Sequence, residues 1–114
     1  MNFFCATVEL EDRPGESINI HGGQYVTAPA FINPGESDDT RFTVRLLCYE
    51  HTCPKLEAFM QLEPGKRVLV GGVFKFSKEL NDRWDVIVHT LETNINPDTY
   101  VNHAMLGGAY LTKR

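Results

Sequence analysis

Apolar residues along this chain recur mostly at every second position, the spacing of strands rather than helices. Phe3 to Leu10 is rich in β-forming residues and runs into the turn Asp12-Arg13-Pro14-Gly15. Residues 17–21 alternate, with Ile18 and Ile20 on one side, and Gly22-Gly23 then predicts a tight hairpin because both glycines accept positive φ. Gln24 to Ile32 returns as a strand in which Pro29 predicts an edge position or a bulge. A polar loop over 33–39 separates it from the next run.

That next run is the clearest. Phe42, Val44, Leu46 and Cys48 share one face, while Arg41, Thr43, Arg45 and Tyr49 share the other, with Leu47 among them. One face asks for a core and the other is basic, as in a half-solvated antiparallel strand. Helical spacing follows once. Thr52-Cys53-Pro54 predicts a helix start, Leu56, Phe59 and Met60 form an apolar stripe about two turns long, and Pro64-Gly65 stops it. Such a helix suits a plug over an open end of the sheet.

Lys66 to Lys78 reads as one long strand with Val68, Val70, Phe74 and Phe76 on one side, and Phe42 and Phe59 join Phe74 and Phe76 as predicted core. Gly71-Gly72 predicts a sharp bend or bulge in its middle. A polar turn around Asn81-Asp82 leads into a closing strand from Trp84 to Leu91. Beyond it the pattern weakens. Asp98 is a candidate cap for a short helix reaching Met105, ended by Gly107-Gly108.

Composition bounds this picture. The 114 residues are 42% apolar and 23% charged, enough for one modest core and too little for two full domains or a disordered polyelectrolyte. The longest apolar stretch, Val68 to Phe74, is too short for a membrane-spanning helix, and Met-Asn-Phe-Phe-Cys-Ala lacks the cationic region of a secretory signal. Three cysteines, Cys5, Cys48 and Cys53, suit free thiols in a reducing compartment, so a soluble cytoplasmic protein is expected. The net charge of −4 argues against a nucleic-acid partner only until its distribution is read. Residues 1–40 hold one cation against seven acids, whereas 41–114 hold ten cations against eight. Within the second part, residues 65–78 carry Lys66, Arg67, Lys75 and Lys78 and no acid. Phosphates meet a patch, not a sum.

A helix placed between the third and fourth strands of a small antiparallel sheet is the layout of an OB-fold; a sandwich or an SH3-like barrel expects no helix there. The expected class is therefore all-β with one short helix, a five-stranded antiparallel OB-fold barrel over residues 1–93, with 94–114 as an extension of unassigned structure. From Arg41 onward the chain resembles the bacterial single-stranded DNA-binding protein family. Arg41-Phe-Thr-Val-Arg-Leu-Leu-Cys-Tyr is similar to that family's third strand, and Leu56-Glu-Ala-Phe-Met-Gln-Leu to its helix. Pro64-Gly-Lys-Arg-Val-Leu-Val-Gly-Gly-Val-Phe-Lys-Phe is similar to its lysine-glycine, strand and glycine pattern, and Asp82-Arg-Trp-Asp-Val-Ile-Val to its closing strand. The resemblance covers about half the chain and implies an OB-fold, association through sheet edges into a homodimer or homotetramer, and single-stranded DNA as partner, with RNA the weaker one. Two departures stand out. No acidic tail ending in Pro-Phe follows, so recruitment of other proteins through a tail is not expected, and Arg41 stands where the family has a strand-three tryptophan.

Arg41, Arg45, Lys75 and Lys78 are the candidate phosphate contacts, since a barrel would gather them onto one curved surface; solvated cations on an exposed strand are the plainer reading. Tyr25, Tyr49 and Trp84 are the candidate stacking residues. For Trp84, closing the barrel competes with stacking, and its place after a polar turn, across from Lys75 and Lys78, favours stacking. Cys48, His51 and Cys53 have irregular spacing for a metal and need a fourth ligand, so the expectation is no metal and no cofactor. No catalytic motif surrounds the four histidines, so no enzyme is expected. The favoured function is sequence-independent binding of single-stranded DNA in replication, recombination or repair. The alternative is an OB-fold protein-interaction module or primosomal accessory subunit with little DNA affinity of its own, and a ligand pocket in the barrel mouth is a residual third.

Overall fold

The computed structural model describes residues 3–18, 24–32, 42–53, 55–77, 83–94, 102–106 and 109–112. Strands β1 (Phe3–Leu10), β2 (Gly15–Ile18), β3 (Gln24–Ile32) and β4 (Phe42–Tyr49) precede helix α1 (Leu56–Met60). Strands β5 (Arg67–Ser77), β6 (Arg83–Glu92), β7 (Asn102–Leu106) and β8 (Ala109–Thr112) follow it. The order β3-β4-β6-β5-β1 closes on itself through β1–β3 pairs at Val8↔Ile32 to Leu10↔Ala30. This is a five-stranded barrel with one short helix, the OB-fold architecture. It is mixed rather than wholly antiparallel. The chain leaves β4 through α1 and enters β5 beyond β6 in the sheet, and β5 then turns back antiparallel into β6, so β6 lies beside β4 and runs parallel to it, from Val44↔Trp84 to Leu47↔Ile87.

Alternation builds the core. Ala6, Val8 and Leu10 of β1, Val26 to Ile32 of β3 at even positions, and Val44, Leu46 and Cys48 of β4 all point inward and are buried. Val68, Val70 and Phe74 of β5 and Val86, Val88 and Leu91 of β6 complete the wall. The switch from even to odd positions on β6 has a local cause. Gly71 pairs with Thr90 and Gly72 with Val88, so His89 is an extra residue that turns Leu91 inward. The bulge predicted at Gly71-Gly72 is present, with its surplus residue on the partner strand. Gly72 is needed there: a Cβ at this position would lie 1.9 Å from the Ile87 carbonyl oxygen.

Four expectations are revised. Pro29 sits in a strand with neighbours on both sides, neither edge nor bulge: its carbonyl accepts the Glu11 N–H at 2.9 Å on the β1 side. Its missing N–H points the same way, which leaves the β3–β4 ladder unbroken from Tyr25↔Tyr49 to Ile32↔Phe42. Helix α1 is only five residues long and inserts Phe59 alone as a fully buried plug; Met60 is 39% exposed. Phe76 keeps its inward parity but lies at the rim, 39% exposed, while Phe59 and Phe74 are buried as predicted and the Phe42 side chain lies outside the described residues. In place of a helix reaching Met105, residues 102–106 form β7, paired with β1 from Phe3↔Met105 to Ala6↔Asn102. Strand β3 leaves β1 below Val8, and the vacated donors and acceptors of β1 recruit β7. Residues 19–23, 33–41 and 78–82, for which the sequence predicts turns and a polar loop, lie outside the described residues.

Candidate nucleic-acid interface

Residues that alternate with the core form an outward face across β3, β4, β6 and β5, and register orders it in rows. Tyr25 lies opposite Tyr49; Thr27, Leu47, Ile87 and Val73 form the second row; Pro29, Arg45, Asp85 and Lys75 form the third. Successive rows are about 7 Å apart, two residues of strand rise.

The first row is aromatic. The Tyr25 and Tyr49 rings stack with centroids 5.3 Å apart and planes inclined by 27°, and both are half-buried. His51 extends the pair, its ring 5.9 Å from Tyr49. A compact turn positions it: the N–H groups of Thr52 and Cys53 both donate to the Tyr49 carbonyl, at 3.1 and 3.0 Å, and the Thr52 hydroxyl donates to the same oxygen. Such a turn leaves His51 exposed while Cys53 swings inward beside Cys48. Burial, then the hydrogen bond and charge of Cys53, push the Cys48 thiol far above its usual range. Among the described residues no group of three or more His, Cys, Asp and Glu is placed to hold a metal ion.

The third row is ionic. Arg45 donates from Nε to Asp85 Oδ1 at 3.1 Å and from Nη2 to Asp85 Oδ2 at 2.8 Å, a two-pronged pair across the parallel strands. Lys75, next to Asp85 on β5, is exposed and has no ion pair to a described residue. The face is therefore aromatic and apolar at one end and close to charge balance at the other, rather than uniformly basic. Arg41 and Lys78 lie outside the described residues.

Trp84 stands apart from this group. It shares parity with Val86 and packs against the core, stacked on Phe74 at 4.3 Å and tilted against Phe76 at 4.8 Å. Arg45, Lys75, Tyr25 and Tyr49 thus share one surface, and Trp84 lies on the other side of the sheet. Asp85 and His51 are the members of the face that the sequence reading missed. Alternation against Val86 and Val88 marks Asp85 as outward, but its pairing with Arg45 depends on register between strands forty residues apart.

No family model matches the chain, and no curated protein matches it. Solved structures do. The wild-type single-stranded DNA binding protein of Thermus aquaticus superposes with a TM-score of 0.62 at 16% identity over 84% of this chain, which spans only 41% of the Thermus chain. The small single-stranded DNA-binding protein of Streptomyces coelicolor gives 0.66 at 14% identity, over 82% of this chain and 92% of its own. Protein PriB of Ralstonia solanacearum gives 0.62 at 13% identity, over 83% and 99%. The likeness is one of fold.

Proposed function

We propose that this protein binds single-stranded DNA without sequence preference, in the cytoplasm, during replication, recombination or repair. The binding unit is residues 1–93, and its surface is the outward face carrying Tyr25, Tyr49, Arg45 and Lys75. The observation that carries this reading is the stacked Tyr25–Tyr49 pair extended by the exposed His51, a row of half-buried and exposed rings on a barrel wall. Any base can stack on such a row, which is why the recognition is indifferent to sequence. The shared fold with two single-stranded DNA binding proteins supports the reading. Strand edges left at β2 and β8 are the surfaces through which copies associate into a homodimer or homotetramer.

Fluorescence anisotropy with labelled oligo-dT tests the proposal. Binding should weaken as salt rises, and Tyr25→Ala with Tyr49→Ala should cost about 1–3 kcal/mol per lost stack. No binding at low salt refutes it. The second reading, a protein-interaction module, is favoured by the apolar row Thr27-Leu47-Ile87-Val73, where Val73 is 37% exposed, and by the balanced Arg45–Asp85 pair. That module would leave oligo-dT unbound.

A further inference from the structure

Asp85 is an odd presence on a face meant for a polyanion. It is 4% exposed, lies in register between Arg45 and Lys75, and gives both carboxylate oxygens to Arg45. Burying a carboxylate costs solvation that only a close partner offsets, and a lone arginine would serve a phosphate without it. What the pair provides is geometry. With Nε and Nη2 committed to Asp85, the guanidinium loses its swing and the pair as a whole carries no net charge, while the guanidinium keeps its planar faces and its Nη1 donors. A pair that enters a complex already neutral releases no counterion on behalf of a phosphate. Planar guanidinium groups stack on bases, and Arg45 lies two rows from Tyr49 on the same strand, about 14 Å away, with Leu47 between them.

We infer that Asp85 is a positioning residue that fixes Arg45 as a charge-neutral stacking surface for a nucleobase, so that this end of the face meets bases and not phosphates. The inference rests on the strand-binding reading and says how that face works. Counterion release on the described part of the face then falls to Lys75.

The test is oligo-dT anisotropy over a salt series, on the full chain and four variants, each first shown to melt cooperatively. Arg45→Ala should weaken binding by at least about 3- to 10-fold, the unpaired Asp85 carboxylate adding its own repulsion to the lost stack. Arg45→Lys keeps the pair neutral and should weaken binding about 3- to 10-fold at the wild-type slope of log affinity against log salt, since an ammonium neither stacks nor forks. Asp85→Asn should steepen the slope by about 0.7, because the released guanidinium charge now meets a phosphate. Arg45→Ala by itself leaves a buried carboxylate alone and risks unfolding. Arg45→Ala with Asp85→Ala removes both charges and should match the wild-type slope with the weakened affinity. The inference is overturned if the double variant lowers the slope by about 0.7, if its affinity is unchanged, or if Arg45→Lys restores wild-type affinity. Wild-type protein that binds no oligo-dT removes the strand-binding reading and the inference with it, whereas normal wild-type binding with any of those results removes the inference alone.

Discussion

Trp84→Ala separates the two sides of the sheet. The indole is partly buried, packed on the core and in contact with the Phe74 and Phe76 rings at 4.3 and 4.8 Å. A tryptophan buries about 150–250 Å² when enclosed, and at roughly 25 cal/mol per Å² two thirds of that corresponds to about 3–4 kcal/mol. Each ring contact adds about 0.5–1.5 kcal/mol, although a compact unfolded chain returns part of the burial. The substitution should therefore cost about 3–5 kcal/mol of folding stability. For a chain of this size that lowers the melting temperature by roughly 15 °C, a large share of a typical 5–15 kcal/mol. Urea unfolding followed by circular dichroism measures the loss. Oligo-dT titration at 10 °C, where the variant stays folded, should give an affinity within about twofold of wild type, and poly-dT should quench the native indole only slightly. A variant as stable as wild type that binds at least fivefold more weakly would refute this reasoning and return Trp84 to the binding face.

Gly72→Ala should destabilise by at least about 1–3 kcal/mol in urea, because the three atoms nearest the new methyl, at 1.9 to 3.2 Å, belong to the Ile87 and Val88 backbone and cannot rotate away. Gly15→Ala, with nothing within 4 Å, should leave the midpoint unchanged and serves as the control. Alkaline pH should weaken the fold. Cys48 holds its proton more tightly in the folded state, so unfolding releases a proton once pH passes the ordinary thiol value near 9, and stability falls as pH rises further. Cys48→Ala should flatten that decline in urea midpoints measured from pH 8 to 10.5; an equally steep decline in the variant would assign the effect to other groups.

Alternation along each segment determined a good deal of this protein. The inward rows of β4 and β5, the plug role of Phe59 and the break at Gly71-Gly72 follow from spacing, because a strand's faces are set by its own backbone and glycine tolerates what no side chain can. The fold class came from the order of those elements. Tertiary structure decided the rest, since register between strands is not a local property. It set Tyr25 against Tyr49, made Arg45 the partner of Asp85 across a parallel pair, and placed one extra residue at His89 that turns Leu91 inward. It also parted Trp84 and Phe76 from the cations they follow in sequence, because neighbours along a strand point to opposite sides and only barrel closure says which side is wet. Residues 102–106 carry no strong period of their own, and the open edge of β1 draws them into a strand, because unpaired backbone groups there gain more from a ladder than from a short, weakly capped helix.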